Sequence, residues 1–468
     1  MIKNIFLKEA HENLITTKAM VSFIIIILLF IVNGFIFNLN YDKNFKKYSS
    51  VRNINIENIR NNTESFVNLV FTDQQLIKPP SNIFFISEAE ETVLPNGIQI
   101  NFFSETNPQY YKSKNIFFSA FSSIDWTYIL IFFISFVCIS LSYGSFSGEK
   151  VNGTLKLILA NFIPRWKLIL GKYLGILSIT FIPVLIGMII SLIIIQLNPR
   201  IAFSVNDILL IFIYFIGVVL FISLNIFIGL IISCMTSRPV VSLSIVLILW
   251  IIFAIVIPNV SWLLSKQVKS VSSISVLNET ANRIINEAYD TEKHSMSWNS
   301  SWAGNPPNET VLKRNTWVNE KTRLSNDVWR EYRNDIINQT KTAINLSKIS
   351  PFSLFRFFGE TISDNGFSGY SNFYNQAMNY KTTFRDFLIG KDQADNDSHH
   401  LIWSEQWCAR SFMSNKPVEF SEIPQFAYTR PSLTQTMEDC KFDILLLVLW
   451  NLLLFSGTYA AFIKYDVR

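Results

Sequence analysis

Six stretches of this chain carry no Asp, Glu, Lys, Arg or His, and each is long enough to cross a lipid bilayer. About 20 residues at a rise of about 1.5 Å per residue cover a hydrocarbon core of about 30 Å. Because no water reaches that core, the backbone must satisfy its own hydrogen bonds, and uninterrupted runs of this length do so as helices. The charge-free stretches are residues 19–41, 126–148, 173–199, 208–237, 239–265 and 444–463. The membrane spans predicted around them are residues 19–41, 125–145, 168–198, 206–236, 239–265 and 442–463.

The composition indicates two large segments outside the membrane, residues 42–124 and residues 266–441. Half of the residues are hydrophobic, too many for an ordinary soluble protein, whereas 16% are charged, too many for a chain embedded throughout. In the first segment, β-rich runs on both sides of Pro95-Asn96-Gly97 predict a hairpin. In the second, apolar residues repeat every four positions, as in helices. The predicted fold class is an all-α polytopic membrane protein with six transmembrane helices, a small mixed α/β outer segment and a larger, mainly helical outer domain.

Lys and Arg residues of the short loops fall on one side of the predicted membrane, which identifies that side as the cytoplasm. They lie in the amphipathic segment 1–18, predicted to rest on the membrane surface, in segment 146–166, at Arg238 and in the tail 464–468. The opposite short loop, "RIAFSVND", holds only Arg200. The predicted location is a bacterial inner (cytoplasmic) membrane, with both termini in the cytoplasm. The net charge of +5 reflects this topological bias, so no nucleic-acid partner is predicted.

Two of the four cysteines, Cys408 and Cys440, fall in the second outer segment. They form a disulfide if that compartment is oxidising and remain free thiols if it is reducing. The sequence leaves both alternatives open. Cys138 and Cys234 fall in or near spans, where a role in packing is expected.

Motifs of catalytic and nucleotide-binding sites are missing from the sequence. There is no GxxxxGK[ST], HExxH, CxxC or GxSxG pattern, so the chain is not predicted to bind ATP or to act as an enzyme. The adjacent residues His399 and His400 are expected to point apart, and no metal site is predicted. The spans lack the ionisable groups that ion-coupled transport needs, and Asp125, Asp207 and Asp443 are expected at span ends in contact with water. Energy for transport must therefore come from another chain.

The segment "GEKVNGTLKLILANFIPRWKLILGKYLG" places charged residues on a short connection between two spans. If it is helical, an apolar stripe forms at spacings i, i+4, i+7, i+8 and i+11, with most charges off the stripe. The stripe consists of Val151, Leu155, Ile158, Leu159 and Phe162. Pro164 disfavours helical geometry at the preceding residue and is expected to end the element. Such a helix lies on lipid or docks into a groove of a soluble partner, and periodicity alone favours neither.

The same segment resembles the first cytoplasmic loop of ABC-2 type transporter permeases, in which a Glu is followed by Gly-Thr-Leu, then by Pro-Arg and then by Gly-Lys. The matching residues are Glu149, Gly153, Thr154, Leu155, Pro164, Arg165, Gly171 and Lys172. The outer stretch "ISPFSLFRFFGETISDNGFSGYSNFYNQAMNY" and the closing "AAFIKYDVR" resemble the DUF3526-containing branch, of the kind labelled multi-copper enzyme maturation permease. Copper binding is not carried over, because the chain has eight Met and no His/Cys/Met cluster.

This resemblance implies a six-helix exporter-type permease that pairs with a second permease protomer, identical or related, and with separate cytoplasmic ABC ATPase subunits. No cofactor is expected in this chain, since ATP and Mg would be bound by the partner ATPase. Segment 146–166 would be the coupling helix, and the N-terminal segment would be an interfacial helix in contact with membrane lipids. The residues expected to couple to the ATPase are Glu149, Gly153, Thr154, Leu155, Leu159, Pro164 and Arg165.

The expected function is ATP-powered export or extraction of an amphipathic, lipid-like or peptide substrate. The alternative is a mechanical device, in which ATP hydrolysis moves the outer domains to act on a periplasmic or envelope partner without transport. A polar cavity between protomers would favour export, and a closed apolar interface would favour the mechanical device.

Overall fold

The computed structural model describes residues 2–88, 96–106, 124–160, 163–295, 309–404 and 412–464. Within these ranges, six helices are long and apolar enough to cross a membrane, which confirms the predicted fold class. The six are Thr17–Asn61, Trp126–Val151, Arg165–Gln196, Val205–Met235, Pro239–Val268 and Leu433–Ile463.

The helices are numbered here in chain order. The first seven are α1 (Ile2–Leu14), α2 (Thr17–Asn61), α3 (Phe66–Val70), α4 (126–142, with a π-helical turn at Ile129–Ile134), α5 (Ser147–Val151), α6 (Thr154–Ala160) and α7 (Arg165–Gln196). The others are α8 (Val205–Met235), α9 (Pro239–Val268), α10 (Ile274–Ser295), α11 (Glu309–Ser347), α12 (Pro351–Ile362), α13 (Gly366–Gln393) and α14 (Leu433–Ile463).

Helix α8 lies at the centre of the bundle, where it packs against α4, α7, α12 and α14. It begins at Ser204, whose hydroxyl accepts a hydrogen bond from the backbone N–H of Asp207 while the Asp207 carboxylate accepts from Ser204 in return. This capping box fixes the first turn. Helices α9 and α14 instead leave much of their apolar surface exposed, as expected for helices that face lipid or another membrane protein.

Helix α2 is far longer than the span predicted over residues 19–41. It continues without a break to Asn61, 20 residues beyond the predicted end. The stretch 42–61 is polar, but it contains no Pro or Gly that would stop a helix. The predicted boundary marks the end of the apolar part and not the end of the helix.

The first outer segment contains a three-stranded antiparallel sheet in the order β1 (Gln74–Ile77), β2 (Gly97–Ile100) and β3 (Glu105–Thr106). The predicted hairpin around Pro95 is therefore wrong in its pairing, because β2 pairs with β1, in the register Gln74 to Ile100. The run 83–87 forms turns, and its side chains are buried in the core of the bundle. Residues 89–95 lie outside the described residues.

A second hydrophobic core holds the outer domain together. It combines α3 and the sheet with α13 and the loop that leads to α14, and its largest fully buried side chain is that of Trp403. The domain thus joins segments from both halves of the chain. Cys440 is buried, whereas Cys408 lies outside the described residues, so the pairing of these two cysteines stays a prediction.

The three aspartates at the span ends do not contact water as predicted. Asp125, Asp207 and Asp443 are all buried, because the outer domain covers this end of the bundle. Asp207 accepts a hydrogen bond from Arg430 at 2.7 Å, and Asp443 lies 2.5 Å from Lys348. Asp125 accepts two backbone N–H groups. We call this the domain end of the bundle.

Candidate functional site

The candidate site lies at the opposite end of the bundle, which we call the loop end. It is formed by α1, the coupling segment (residues 146–166), the turn 236–238 and the end of α14. The coupling segment was predicted as one helix, but it forms two, α5 and α6, separated by Asn152 and Gly153. Gly153 has a φ of 70°, a left-handed conformation that suits glycine and breaks the helix. Thr154 then begins α6, and Pro164 precedes the first residue of α7.

The break divides the predicted apolar stripe. Leu155 is fully buried in the core of the bundle, and Ile158 and Leu159 are half-buried against that core. Val151 faces solvent instead, and off the stripe Leu157 is 69% exposed. Phe162 lies outside the described residues. Leu155 therefore packs the segment against the bundle, whereas Leu157 leaves an apolar side chain exposed on its outer surface.

A buried ion triad joins the coupling segment to the rest of the loop end. Lys172, in the second turn of α7, places its Nζ 2.9 Å from Glu9 Oε2 and 2.9 Å from Glu149 Oε1. The Lys172 side chain is only 3% exposed, and its ammonium also lies 5.5 Å from the centre of the Phe146 ring. Buried charges are tolerated only when they are paired in this way. The triad ties α1, α5 and α7 together.

Close packing of α1 on α7 makes the triad possible. Gly171 and Gly175 lie one turn apart on α7, opposite Ile5 and Glu9 of α1. A Cβ atom added at Gly171 would lie 2.7 Å from Ile5 Cγ2, and one added at Gly175 would lie 2.8 Å from Glu9 Cβ. Small residues at this spacing allow two helices to approach closely. Here they let Glu9 reach Lys172.

Two further cations attach the coupling segment to the ends of α8 and α14. Lys150 Nζ donates to the carbonyl oxygens of Cys234, at 2.5 Å, and Thr236, at 3.0 Å. Arg165 Nη1 donates to the carbonyl oxygens of Phe462 and Ile463, each at 2.6 Å. The last carbonyls of a helix have no partner within it and carry partial negative charge, so cations stabilise them.

Sequence reasoning included Glu149 and Arg165 in the coupling set but omitted Lys172 and Lys150. Lys172 belongs to the Gly-Lys pair that is part of the resemblance to ABC-2 permeases. Its position directly before a long apolar run is the sequence signal that could have identified it as a site residue. Lys172 lies inside helix α7, one residue before the charge-free stretch 173–199. Periodicity cannot show that a carboxylate from α1 meets it, because the contact with Glu9 spans 163 positions.

Three cations link the coupling segment to its neighbours. Lys172, Lys150 and Arg165 contact groups on α1, α5, α8 and α14, so the coupling segment is attached to several helices at once. No group of three or more His, Cys, Asp or Glu side chains that could hold a metal ion occurs in the part of the chain that the structure describes.

The family model for the ABC-2 family transporter protein matches residues 3–467. This chain belongs to that family. No curated protein matches the sequence. Members of the ABC-2 family are the membrane component of ABC transporters, so the chain is a permease subunit of such a transporter, and its family associates with an ATPase subunit.

In this ABC-2 permease, the loop end contains every residue that was expected to couple to an ATPase. Glu149 and Arg165 are held by the contacts above, and Leu155 and Leu159 pack toward the bundle. Thr154 is exposed, and its hydroxyl lies 3.4 Å from the carbonyl oxygen of Glu149. The resemblance to the DUF3526-containing branch stays a prediction.

Proposed function

We propose that this permease exports or extracts an amphipathic, lipid-like or peptide substrate, using ATP and Mg bound by a separate ATPase subunit that docks on the coupling segment at the loop end. The loop end then faces the cytoplasm of a bacterium, with both termini inside, as the distribution of Lys and Arg predicts. A second permease protomer, identical or related, would complete the transporter.

The Lys172 triad is the observation that carries this proposal. A docked subunit that pushes on α5 moves Glu149, and because Glu149 shares one buried cation with Glu9, α1 and α7 must move with it. Separating these groups would leave a buried charge unpaired, which costs about 3–5 kcal/mol. The loop end therefore favours moving as one unit, as transmission of force requires.

The outward face of α6 supports the docking. Leu157 is 69% exposed, Lys156 beside it is also exposed, and Trp166 at the start of α7 is 43% exposed. An apolar side chain bordered by cations suits a groove of mixed character on a soluble partner. The same face also suits a membrane surface, so the experiment must separate these two.

Leu157→Asp in the complex purified with its ATPase tests the docking. We expect the variant to retain less ATPase on co-purification and to lose ATPase stimulation by the permease, because a charge replaces the apolar contact. Leu312→Asp is the matched control, since it makes the same change at an exposed leucine of α11 in the outer domain, away from the loop end. Equal retention of the ATPase by both variants would overturn the docking.

A mechanical function without transport is the second candidate, and the ion pairs at the domain end favour it. Arg430 joins the outer domain to Asp207 of α8, and Lys348 joins it to Asp443 of α14. These are the same two helices whose other ends are held by the coupling segment. ATP-dependent change in a spin-label distance between α13 and α14, without lipid or peptide movement in proteoliposomes, would favour this function over export.

A further inference from the structure

A cavity of about 290 Å³ lies where the outer domain meets the head of α14. Its walls come from the end of α11, from α12, from α13 and from the first turns of α14. Apolar side chains of Ile344, Phe357 and Phe367 line one part of it. A volume of this size is enough for a small polar group of a ligand.

Four polar side chains in the cavity wall make no hydrogen bond within the described part of the chain. Thr361, Ser368, Ser371 and Asn372 line the cavity, and none of their side chains hydrogen-bonds to any residue that the structure describes. All four are half-buried. Hydroxyl and amide groups that converge on one space without partners are available to bind water or a ligand.

The charges around the cavity do not balance. Glu360 Oε1 accepts a hydrogen bond from Arg356 Nε at 2.8 Å, and Asp443 lies 2.5 Å from Lys348 Nζ. Asp439, one turn before Asp443 on α14, makes no ion pair within the described ranges. One carboxylate thus remains without a cation, beside a second carboxylate that is held by a single lysine.

We propose that this cavity binds a primary ammonium group, and that the ligand is the ethanolamine headgroup of a phospholipid. An ammonium offers three hydrogen-bond donors, which match the carboxylate of Asp439 and the unpartnered hydroxyls. The position of the cavity favours a phospholipid as the source of the ammonium group, because the apolar run of α14 begins one residue after Asp443. The neighbours Phe442 and Leu445 are 65% and 61% exposed, on surface that a bilayer would cover.

Binding there affects the connection between the outer domain and the bundle. Lys348 and Asp443 both line the cavity and form the ion pair that joins the domain to α14. A bound ammonium competes with Lys348 for Asp443 and so weakens that link. The inference does not depend on the proposed function, because it holds whether or not a substrate crosses the membrane.

The test uses the full-length permease in nanodiscs of phosphatidylcholine, with and without phosphatidylethanolamine, and records thermal unfolding by tryptophan fluorescence. Choline is the matched ligand control, since its nitrogen has the same charge but no N–H donor. We expect phosphatidylethanolamine to raise Tm by about 2–4 °C. Asp439→Asn should abolish that rise, whereas Glu438→Gln, at the neighbouring exposed acid outside the cavity wall, should keep it.

The outcomes separate the alternatives. Equal Tm values in the two lipids, or an equal lipid effect in Asp439→Asn and Glu438→Gln, would overturn the site. A further arm adds soluble phosphoethanolamine to the phosphatidylcholine nanodiscs. If this raises Tm as much as the lipid does and Asp439→Asn removes the effect, the ammonium site is upheld and its source is a soluble amine. None of these measurements involves the ATPase, so they leave the docking at the loop end untouched.

Discussion

Lys172 Nζ lies 2.9 Å from Glu149 Oε1, although the two residues are 23 positions apart and belong to different helices. The same ammonium lies 2.9 Å from Glu9 Oε2. One buried cation therefore connects helix α1, the coupling segment and helix α7.

Replacement of Lys172 by Met should destabilise the permease by about 3–5 kcal/mol, because it leaves the buried carboxylate of Glu9 and the half-buried carboxylate of Glu149 without a cation. Chemical unfolding in detergent, followed by tryptophan fluorescence, measures this. The combined variant Lys172→Met, Glu9→Gln and Glu149→Gln should recover part of the loss, since no charge then remains buried. Lys167→Met, at a half-buried lysine one turn before, is the control. Similar losses in the two single variants would contradict the role of the triad.

Gly175→Ala should lower the free energy of unfolding by about 1–3 kcal/mol. The new methyl group would lie 2.8 Å from Glu9 Cβ and would push α1 away from α7. Gly148→Ala offers a matched control in the helix α5, because a Cβ there meets no atom within 4 Å. Gly148→Ala should leave the free energy of unfolding unchanged or raise it slightly. If the two variants unfold at the same denaturant concentration, the close contact between α1 and α7 is not present in solution.

Glu149→Ala combined with Arg165→Ala should lower substrate-stimulated ATPase activity of the purified complex while leaving the protein in the membrane. The pair removes one contact to Lys172 and the two hydrogen bonds from Arg165 to the end of α14. Lys3→Ala, at an exposed lysine of α1, removes a charge at the same end of the bundle without touching these contacts or the outward face of α6. Unchanged stimulation in the double variant would count against transmission through this segment.

Cysteine labelling should place the two ends of the bundle on opposite sides of the membrane. In a Cys408→Ser background, Lys156→Cys should react with a membrane-impermeant maleimide only in inverted vesicles, whereas Lys313→Cys on α11 should react in intact cells. Both positions are exposed, and Cys138, Cys234 and Cys440 are buried. The reverse pattern would mean that the predicted orientation is wrong.

The outer domain should show an acid-dependent stability that arises from Asp395. Hydrogen bonds from Lys416 Nζ, at 2.5 Å, and Ser414 Oγ, at 2.5 Å, lower the pKa of Asp395 to about 2. Its unfolded value is about 3.9, so this contribution is present above about pH 4 and is lost as the pH falls toward about 2. The stability difference between the wild type and Asp395→Asn should shrink over that range. Asp397→Asn, at a carboxylate that is 85% exposed, should show no such change.

The spans could be predicted because the signal for a membrane helix is local: a long run of apolar residues is visible in any short window. The hairpin prediction failed because Gly97 and its neighbours do form a strand, but the choice of partner depends on a distant segment, Gln74–Ile77. Gly153 was a sequence signal for a break in the coupling helix. The stripe of five apolar residues nevertheless led to the prediction of one continuous helix. The burial of Asp443 could not be predicted, since it depends on where the outer domain rests.

Helix α2 connects the bundle to the sheet of the outer domain in a single element. Its 45 residues form one uninterrupted helix about 68 Å long. The 20 residues beyond the apolar part reach about 30 Å further and contact β1, where Asn55 accepts a hydrogen bond from the backbone N–H of Gln75. A tilt of about 10° would therefore swing the sheet by about 5 Å. The apolar part and the polar extension thus form one rigid element, so any change in the tilt of the apolar part would move the sheet.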